Sequence, residues 1–283
     1  MTDHPRGPVA VLGAGTLGRR IALVLAAGGT DVRLHARRAV AGEEATAYVA
    51  EQVGPLAARL GHDVPGRVTT YADLAGTVEG AWLVVESLPE DLALKRRTFA
   101  ELDTLVGPEV VLATNSSSFP SRELADVVSR PERLLNTHFQ MPPTMMSVEL
   151  MSCGSTDPAL VTLLTSFLER HGLTPFHVQR ESVGFLFNRV WAAIKRESLM
   201  ILEEGVSTPE ELDRIFQLSL GTAHGPCRLM DQVGLDVVLA IEEHYAQVRD
   251  GVPEGPRRLL REHVARGDLG VKTGRGLLEH PAD

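Results

Sequence analysis

The sequence predicts an α/β protein in which an N-terminal doubly wound sheet is followed by a C-terminal all-α domain. Short apolar runs typical of buried strands alternate with helical patterns until the strand signal stops near Ser182, and helical patterns fill nearly all of the remaining chain. Such alternation indicates a largely parallel sheet with helices on both faces. We therefore expect a sheet domain over residues 1–182 and a helical domain over residues 183–283.

The chain opens with a strand, a glycine-rich turn, a helix and a second strand. Val9–Leu12 is the first strand, and Gly13-Ala-Gly-Thr-Leu-Gly18 opens a helical pattern that ends at Gly28-Gly29. Asp31–His35 reads as the second strand. Later elements of this domain are strands at Ala81–Val85, Val110–Ala113, Leu134–His138, Ser147–Met151 and Thr174–Gln179, and helices at Asp91–Leu105, Ser121–Val128 and Pro158–Arg170.

The second domain is predicted to begin with a long helix, Gly184–Glu204. The next helix starts at Thr208-Pro-Glu-Glu211, where a hydroxyl and a carboxylate three residues on can cap free backbone amides and a proline suits the first helical position. Two more helices are predicted at Leu235–Val248 and Pro256–Arg266.

The glycine motif predicts a Rossmann-type dinucleotide site, because it follows the first strand and opens a helix within a βαβ unit. Gly13 permits the tight turn, and Gly15 lets the backbone approach a pyrophosphate. Gly18 permits close packing of helix on strand, with the phosphates at the positive end of the helix. The alternative is a plain glycine-rich turn.

The residues after the second strand favour NADP(H) over NAD(H). An NAD site has an Asp or Glu there for the ribose hydroxyls, whereas this chain has Ala36, Arg37 and Arg38, and Asp31 lies at the wrong end of the strand. Ala36 leaves room for a 2′-phosphate, and the two arginines can bind it through charge-assisted hydrogen bonds. The alternative is a solvated basic turn on an NAD enzyme that does without the acid.

Composition excludes several classes of protein. The chain has 283 residues, of which 43% are hydrophobic and 23% charged, a globular and not a disordered profile. A net charge of −9 disfavours nucleic-acid or anionic-membrane binding, and no apolar run approaches a membrane span. The polar segment over residues 1–7 does not resemble a secretory signal, and two cysteines at no metal-binding spacing fit a reducing cytoplasm. We expect a cytoplasmic protein with no metal.

Four polar residues beyond the nucleotide motif suggest oxidation of an alcohol: Ser117, His138, Glu149 and Asn188. Hydride transfer from a carbinol needs a base for the hydroxyl proton, and histidine titrates near neutrality. A carboxylate can fix the histidine tautomer and stabilise the imidazolium. By itself, a His–Glu pair at this spacing is more often unrelated to catalysis.

Seven ordered motifs resemble the 3-hydroxyacyl-CoA dehydrogenase family, a relative of the lambda-crystallin/gulonate dehydrogenase and carnitine dehydrogenase groups. They cover nearly the whole chain: Gly13-Ala-Gly-Thr-Leu-Gly18, Val84-Val-Glu-Ser-Leu-Pro-Glu-Asp-Leu92 with Lys95, Ala113-Thr-Asn-Ser-Ser-Ser118, Asn136-Thr-His-Phe139 with Val148-Glu149, Val183-Gly-Phe-Leu-Phe-Asn-Arg189, Gly225-Pro226 with Asp231-Gln-Val-Gly-Leu-Asp236, and Gly270-Val-Lys-Thr-Gly274.

The resemblance implies a role for each matching residue. His138 would be the general acid/base and Glu149 its partner, while Ser117 and Asn188 would hydrogen-bond the substrate oxygen. Asn188 is expected to close the site from the second domain. Three further residues match positions at the nicotinamide end of the cofactor: Glu90, Lys95 and Asn115.

Three departures from the family pattern bear on the substrate. The family usually has His-Phe-Phe-Asn-Pro where this chain has His138-Phe-Gln-Met-Pro142, so Met141 replaces a polar residue. The run from His138 to Glu149 is one residue shorter than in the commonest version. The segment Ala39–Gly66 has few basic residues for CoA phosphates, with Arg59 and the following Arg67 the nearest.

The expected substrate is a small acyl molecule, a 3-hydroxyacyl or 3-oxoacyl thioester of CoA. A free hydroxy acid or a carrier-protein-tethered hydroxyacyl group remains the alternative within the enzyme class, and a non-catalytic dinucleotide-binding protein is the alternative outside it. Apolar helix faces around Trp191–Ile194 and Leu199–Leu202 suggest a subunit interface, and the resemblance also implies a homodimer.

Overall fold

A computed structural model of the protein describes residues 7–280. The polar segment before Gly7, on which the expectation about a secretory signal rests, lies outside the described residues. The chain divides into two compact units at the Leu186–Phe187 peptide bond. In residues 7–280 no helix is long and apolar enough to cross a membrane.

The N-terminal unit contains one eight-stranded sheet. Its strands are β1 (Val9–Leu12), β2 (Val32–His35), β3 (Val68–Tyr71), β4 (Leu83–Glu86), β5 (Val111–Thr114), β6 (Leu134–Met141), β7 (Met145–Ser152) and β8 (Thr174–Val178). They are arranged in the order β3-β2-β1-β4-β5-β6-β7-β8, and every neighbouring pair is parallel except β6 and β7. The chain leaves β1 first to one side and then to the other, which opens a crevice at the carboxyl ends of the strands.

Helices cover both faces of this sheet. They are α1 (Thr16–Ala27), α2 (Ala39–Leu60), α3 (Leu74–Val78), α4 (Leu92–Leu105) and α5 (Pro158–Arg170), with 3-10 turns at Ser121–Val127 and Pro131–Arg133. One apolar core joins α1, α2 and α5 to the sheet, and a second joins α3, α4 and the first 3-10 turn. Two buried faces explain why β1, β4 and β5 are buried at every position and largely apolar without alternation. The doubly wound α/β class predicted from the sequence is confirmed.

Three helices and strands of this unit were not predicted: α2, β3 and the short helix α3. Helix α2 contains Gly54 and Pro55, which interrupt its helical pattern although the helix continues to Leu60. Strand β3 lies at the edge of the sheet and has no fully buried residue, so it lacks the apolar run of a central strand. The predicted helix at Ser121–Val128 is a 3-10 segment.

The C-terminal unit is built from helices. They are α6 (Phe187–Glu203), α7 (Pro209–Leu220), α8 (Pro226–Val233), α9 (Leu235–Val248) and α10 (Gly255–Arg266), followed by a 3-10 turn at Val271–Thr273. The Thr208 hydroxyl accepts a hydrogen bond from the Glu211 amide at the start of α7, as the capping motif predicts. The all-α class predicted for this part of the chain is confirmed.

The predicted interface faces are used inside this unit. Leu199 is fully buried in the helical core, and Trp191 and Leu202 pack against that core. Exposed apolar side chains lie on both α6 and α7, with Val190 of α6 at 62% and Ile215 and Leu218 of α7 at 60% and 77% exposed. Part of the apolar surface of α6 is thus used by the unit's own core, and the interface stays a prediction.

Two buried aspartates fix loops and helix ends of the C-terminal unit. The Asp213 carboxylate accepts hydrogen bonds from the Cys227 and Arg228 amides at the start of α8. Asp231 accepts from the Leu277 and Leu278 amides and lies 2.7 Å from His280 Nε2. Asp213 thus satisfies backbone donors that α8 leaves free at its start, and Asp231 satisfies those of the segment that follows the last 3-10 turn.

Candidate active site

A cleft of about 810 Å³ lies at the carboxyl ends of the central strands of the N-terminal unit. Its walls are the glycine-rich turn after β1, the turn after β2, the loops after β4 and β5, and residues at the end of β6. This is the crevice at the topological switch point where open α/β sheets bind ligands. Of the predicted site residues in this unit, all but Gly18 and Glu149 line the cleft.

The glycine turn leaves open space at one of its three positions. At Gly13, which has φ +108°, a Cβ would lie 2.6 Å from the Ser87 carbonyl oxygen, and at Gly18 it would lie 1.8 Å from the Gly13 carbonyl oxygen. Packing of the chain itself thus requires both glycines. At Gly15 no atom lies within 4 Å of a Cβ, and α1 begins directly after it. Bare backbone beside a helix N-terminus fits a pyrophosphate.

The turn after β2 contains two cationic side chains and no acid. Ala36 is buried, whereas Arg37 and Arg38 are exposed at the cleft, and within residues 7–280 neither guanidinium has an ion-pair partner. Asp31 lies at the other end of the strand, where its carboxylate accepts a hydrogen bond from the Arg67 amide at 2.7 Å. The geometry thus leaves the arginines available for a ligand anion.

Two residues that sequence reasoning missed line the same end of the cleft. Arg19, on the first turn of α1, has its guanidinium 4.6 Å from the ring centre of Tyr48. Glu44, on α2, also lines the cleft and is exposed. Both lie on helices outside the glycine and arginine motifs, so spacing alone gives no signal for them.

Lys95 is buried between two carboxylates at the other end of the cleft. Its ammonium lies 2.8 Å from Glu86 Oε1 and 3.1 Å from Glu90 Oε2, and the side chain is 1% exposed. Glu86, the last residue of β4, also accepts hydrogen bonds from the Thr114 hydroxyl and the Leu88 amide. Glu86 was not among the predicted site residues, although an acid that ends a buried strand is itself a signal of a polar site.

Glu90 organises the loop that carries Ser117. Its carboxylate accepts hydrogen bonds from the Ser116 hydroxyl and from the Ser117 and Ser118 amides. Burial favours a higher pKa for Glu90, but the Lys95 charge and these hydrogen bonds outweigh it and hold the pKa below its ordinary value. The loop is thus folded around an anion, and the Ser117 side chain is exposed at the cleft.

Asn115 joins the ends of two strands. It follows β5, and its side-chain oxygen accepts a hydrogen bond from the Phe139 amide on β6 at 2.8 Å. Asn115 is 8% exposed and lines the cleft beside Lys95. It therefore holds β6 in place next to the loop that follows β5.

His138 and Glu149 form a buried pair on neighbouring antiparallel strands. They stand directly opposite each other on β6 and β7, and His138 Nδ1 lies 2.8 Å from Glu149 Oε2. Both side chains are less than a tenth exposed. With Glu149 ionised, Nδ1 carries the proton of this hydrogen bond and Nε2 is left for other partners. The short hairpin after Met141 preserves this pairing.

Glu149 accepts further hydrogen bonds that fix its orientation. The Gln140 amide nitrogen donates to Oε2 at 3.1 Å, and the Leu186 backbone amide donates to Oε1 at 2.7 Å. Neither was among the predicted site residues. Gln140 stands where the family usually has Phe. This departure from the family pattern is the signal by which sequence reasoning could have found Gln140.

The other predicted residues have different surroundings. Asn188 is the second residue of α6 in the C-terminal unit and is half-buried. Met141, at the end of β6, is 40% exposed. Cys153 and Cys227 are both buried free thiols, and burial raises the pKa of Cys227. Within residues 7–280 no three side chains of His, Cys, Asp or Glu are grouped as metal ligands.

Two family models together match most of the chain. The NAD binding domain of 3-hydroxyacyl-CoA dehydrogenase matches residues 8–182, and the C-terminal domain of the same family matches residues 184–280.

Individual relatives match over nearly their full length. The chain is 33% identical over 276 residues to a probable 3-hydroxybutyryl-CoA dehydrogenase of Deinococcus radiodurans, with 95% of this chain and 99% of the relative covered. It is 30% identical over 278 residues to a 5-formyl-3-hydroxy-2-methylpyridine 4-carboxylate 5-dehydrogenase of Mesorhizobium japonicum, with 95% and 89% covered.

A solved structure shows the same fold. The crystal structure of (S)-3-hydroxybutyryl-CoA dehydrogenase from Ralstonia eutropha superposes with a TM-score of 0.86 at 30% identity, covering 98% of this chain and all of that one. The sequence motifs, the fold and these matches lead to one conclusion: the chain is an oxidoreductase of the 3-hydroxyacyl-CoA dehydrogenase family.

Proposed function

We propose that the protein transfers hydride between NADP(H), favoured over NAD(H), and a 3-hydroxyacyl or 3-oxoacyl thioester. The observation that carries this proposal is the buried His138–Glu149 pair, whose histidine lines the cleft of a dinucleotide-binding unit. Glu90, Lys95 and Asn115 line the same cleft and would surround the nicotinamide end of the cofactor.

The chain contributes proton transfer and charge stabilisation to this reaction. When bound, the dinucleotide supplies or accepts the hydride at C3 of the acyl group. In the reducing direction, protonated His138 donates a proton from Nε2 to the C3 oxygen, and Glu149 stabilises the imidazolium through Nδ1. In the oxidising direction, neutral Nε2 accepts the hydroxyl proton.

Two further side chains are assigned to the C3 oxygen. The exposed Ser117 hydroxyl at the cleft would donate a hydrogen bond to the negative charge that develops there. By the family resemblance, the side-chain amide of Asn188 would be the second donor.

The preference for NADP(H) rests on Arg37 and Arg38. Both guanidinium groups are exposed at the cleft, the neighbouring Ala36 is small, and the turn after β2 contains no carboxylate, the exposed acid at this end of the cleft being Glu44 of α2. NADPH would also favour reduction as the working direction. The matching family model describes an NAD binding domain, so this preference would set the chain apart.

The first test is the initial rate of acetoacetyl-CoA reduction with NADPH and with NADH. We expect turnover with at least tenfold higher kcat/KM for NADPH, about 1.4 kcal/mol. The control is His138→Ala, which should bind cofactor normally and lose several orders of magnitude in kcat. A tenfold preference for NADH would overturn the arginine assignment. Equal loss of cofactor binding and turnover in His138→Ala would make His138 structural.

A second substrate class is favoured by the residues near the site. Helix α2 has Arg59 as its one basic residue among positions 39–60, which gives little to bind CoA phosphates, and Met141 replaces a polar residue of the family. The Mesorhizobium relative is named for a free pyridine carboxylate and not for a thioester. A free hydroxy acid or a carrier-tethered acyl group is therefore the second candidate. Free CoA should inhibit competitively if the substrate is a CoA thioester and should have no effect otherwise.

We also propose that residues 183–283 form a helical domain for substrate binding and dimerisation. Apolar side chains of α7 are exposed, including Ile215, Leu218 and Leu220. Exposed apolar patches of this kind commonly mark protein interfaces. Light scattering should give twice the chain mass of 30.6 kDa, and a monomeric mass at micromolar concentration would contradict the proposal.

A further inference from the structure

Phe185 has a strained backbone beside the His138–Glu149 pair. It is the one non-glycine residue in the described part of the chain with a positive φ, +53°. A bulky side chain rarely adopts this conformation, because its Cβ crowds a carbonyl oxygen. Such residues persist where their surroundings hold them, and they concentrate at functional sites.

A closed turn holds this backbone in place. The Phe185 amide donates to the Ser182 carbonyl at 3.0 Å, and the Ser182 hydroxyl donates to the Phe185 carbonyl at 3.0 Å. The next amide, that of Leu186, donates to Glu149 Oε1. The turn over residues 182–186 is thus hydrogen-bonded both to itself and to the carboxylate partner of His138.

The turn places the Phe185 ring against the imidazole of His138. The Phe185 ring is 2% exposed and stacks on His138, with ring centres 4.6 Å apart and ring planes inclined by 25°. Met151 and Val178 pack around Phe185 on the sheet. The imidazole is therefore held at its Nδ1 edge by Glu149 and on its face by Phe185, while His138 also lines the cleft.

We infer that Phe185 is a positioning residue for His138, and that the strained turn exists to place its ring. Contact on the imidazole face limits rotation of His138, so that Nδ1 stays directed at Glu149 and Nε2 at the cleft. Because Leu186 binds Glu149, one segment positions both members of the pair. The inference rests on the proposed acid/base role of His138, and no member of the turn contacts the reacting atoms in this scheme.

The test compares two buried phenylalanines. Phe185→Leu removes the stacked ring, and Phe167→Leu removes a ring of similar burial that packs on Trp82 and His171. In Phe185→Leu we expect kcat for acetoacetyl-CoA reduction to fall about ten- to hundredfold, as for other small misplacements of a reacting group. The KM for NADPH should change less than about twofold. Phe167→Leu should lower the melting temperature and retain kcat.

A spectroscopic readout tests the inference without turnover. Nitrogen-15 labelling of histidine, with His138→Gln for assignment, should show the Nδ1-bound proton of His138 in its hydrogen bond to Glu149. We expect that resonance to weaken or shift in Phe185→Leu and to persist in Phe167→Leu. If the wild-type protein turns over no acyl substrate, the proposed function fails, and the resonance still decides the role of Phe185.

Two further variants apply even if Phe185→Leu does not fold. Phe185→Tyr keeps the ring and should retain kcat within about threefold, while Ser182→Ala loosens the turn and should reduce kcat severalfold with the Nδ1 resonance broadened. The inference is overturned if loss of the ring leaves both kcat and the resonance unchanged. It is also overturned if Phe167→Leu shows the same losses of kcat and of the Nδ1 resonance. If Phe185→Leu does not fold, it is overturned when Ser182→Ala has the kcat and the resonance of the wild type.

Discussion

Individual residues of the site show how buried charged side chains are paired. Lys95 is almost fully buried, and two carboxylates and a short loop are arranged around it. A buried ion pair of this kind adds little net stability, but removal of one partner leaves the other charge uncompensated. Glu86 is fully buried, so its carboxylate depends on Lys95.

Lys95→Met should therefore destabilise the N-terminal unit by about 3–5 kcal/mol in urea unfolding. The matched control is the next residue, Arg96→Met, which removes a solvent-accessible pair with Asp126 and should cost much less. Lys95→Met combined with Glu86→Gln should recover part of the loss, because the uncompensated charge is gone. Equal effects of Lys95→Met and Arg96→Met would contradict the argument.

Arg37 and Arg38 provide a second prediction at this scale. Replacement of either by serine should lower kcat/KM for NADPH by about tenfold or more, since a charge-assisted hydrogen bond contributes roughly 1.5–3 kcal/mol. The value for NADH should stay within about twofold, because NADH lacks the 2′-phosphate. Arg97→Ser, an exposed arginine of α4 that does not line the cleft, is the control. Equal losses of kcat/KM with NADPH and with NADH would show that the arginines do not bind the 2′-phosphate.

At the scale of elements, the sequence predicts a helix or strand well where a local motif marks its start or end. The βαβ opening and the capped start of α7 were both evident, because glycine spacing and the capping motif are local signals. Helix α2 was hidden by Gly54 and Pro55, whose cost in a helix is outweighed by packing of the helix on α1 and the sheet. The pairing of His138 with Glu149 depends on hairpin register, which spacing alone does not give.

The contact between the ends of α1 and α5 should make the stability of the fold depend on pH. His171, at the end of α5, is 3% exposed, with Nδ1 donating to the Phe167 carbonyl and Nε2 accepting from the Thr30 hydroxyl. Burial lowers the pKa of His171 from 6.5 to about 4. The unfolded chain then binds a proton that the folded chain does not, so stability is lost as the pH falls from about 6.5 to about 4.

The loss from this group should reach about 2–3 kcal/mol by pH 4.5. Chemical unfolding of the wild type and of His171→Leu at pH 7 and pH 4.5 isolates the contribution of His171, because carboxylates contribute equally to the pH dependence of stability in both proteins. The variant should be less stable at pH 7 and should lose less stability on acidification. A loss of the same size in both proteins would mean that His171 is protonated in the folded state.

For the molecule as a whole, the order of motifs along the chain predicted the two fold classes, and the comparisons place it in its family. What the sequence did not predict is the set of buried polar contacts that join distant segments. The ion pair of Glu86 with Lys95 is one example, and the hydrogen bond from the Leu277 amide to Asp231 is another. Each depends on tertiary structure, and neither is indicated by the periodic spacing of residues in a helix or strand. These contacts decide how each unit responds to substitution.

Two units with separate cores predict two unfolding transitions. NADPH binding to the N-terminal unit at one hundred times its Kd should stabilise that unit by about 2.7 kcal/mol and raise one transition in calorimetry. Asp231→Ala should lower the other, because it leaves the buried Leu277 amide without an acceptor, at a cost of about 1–3 kcal/mol, and also removes the acceptor of the partly buried Leu278 amide. The exposed Asp250→Ala on the same unit is the control and should change neither. A single transition that moves with both NADPH and Asp231→Ala would show instead that the chain unfolds as one cooperative body.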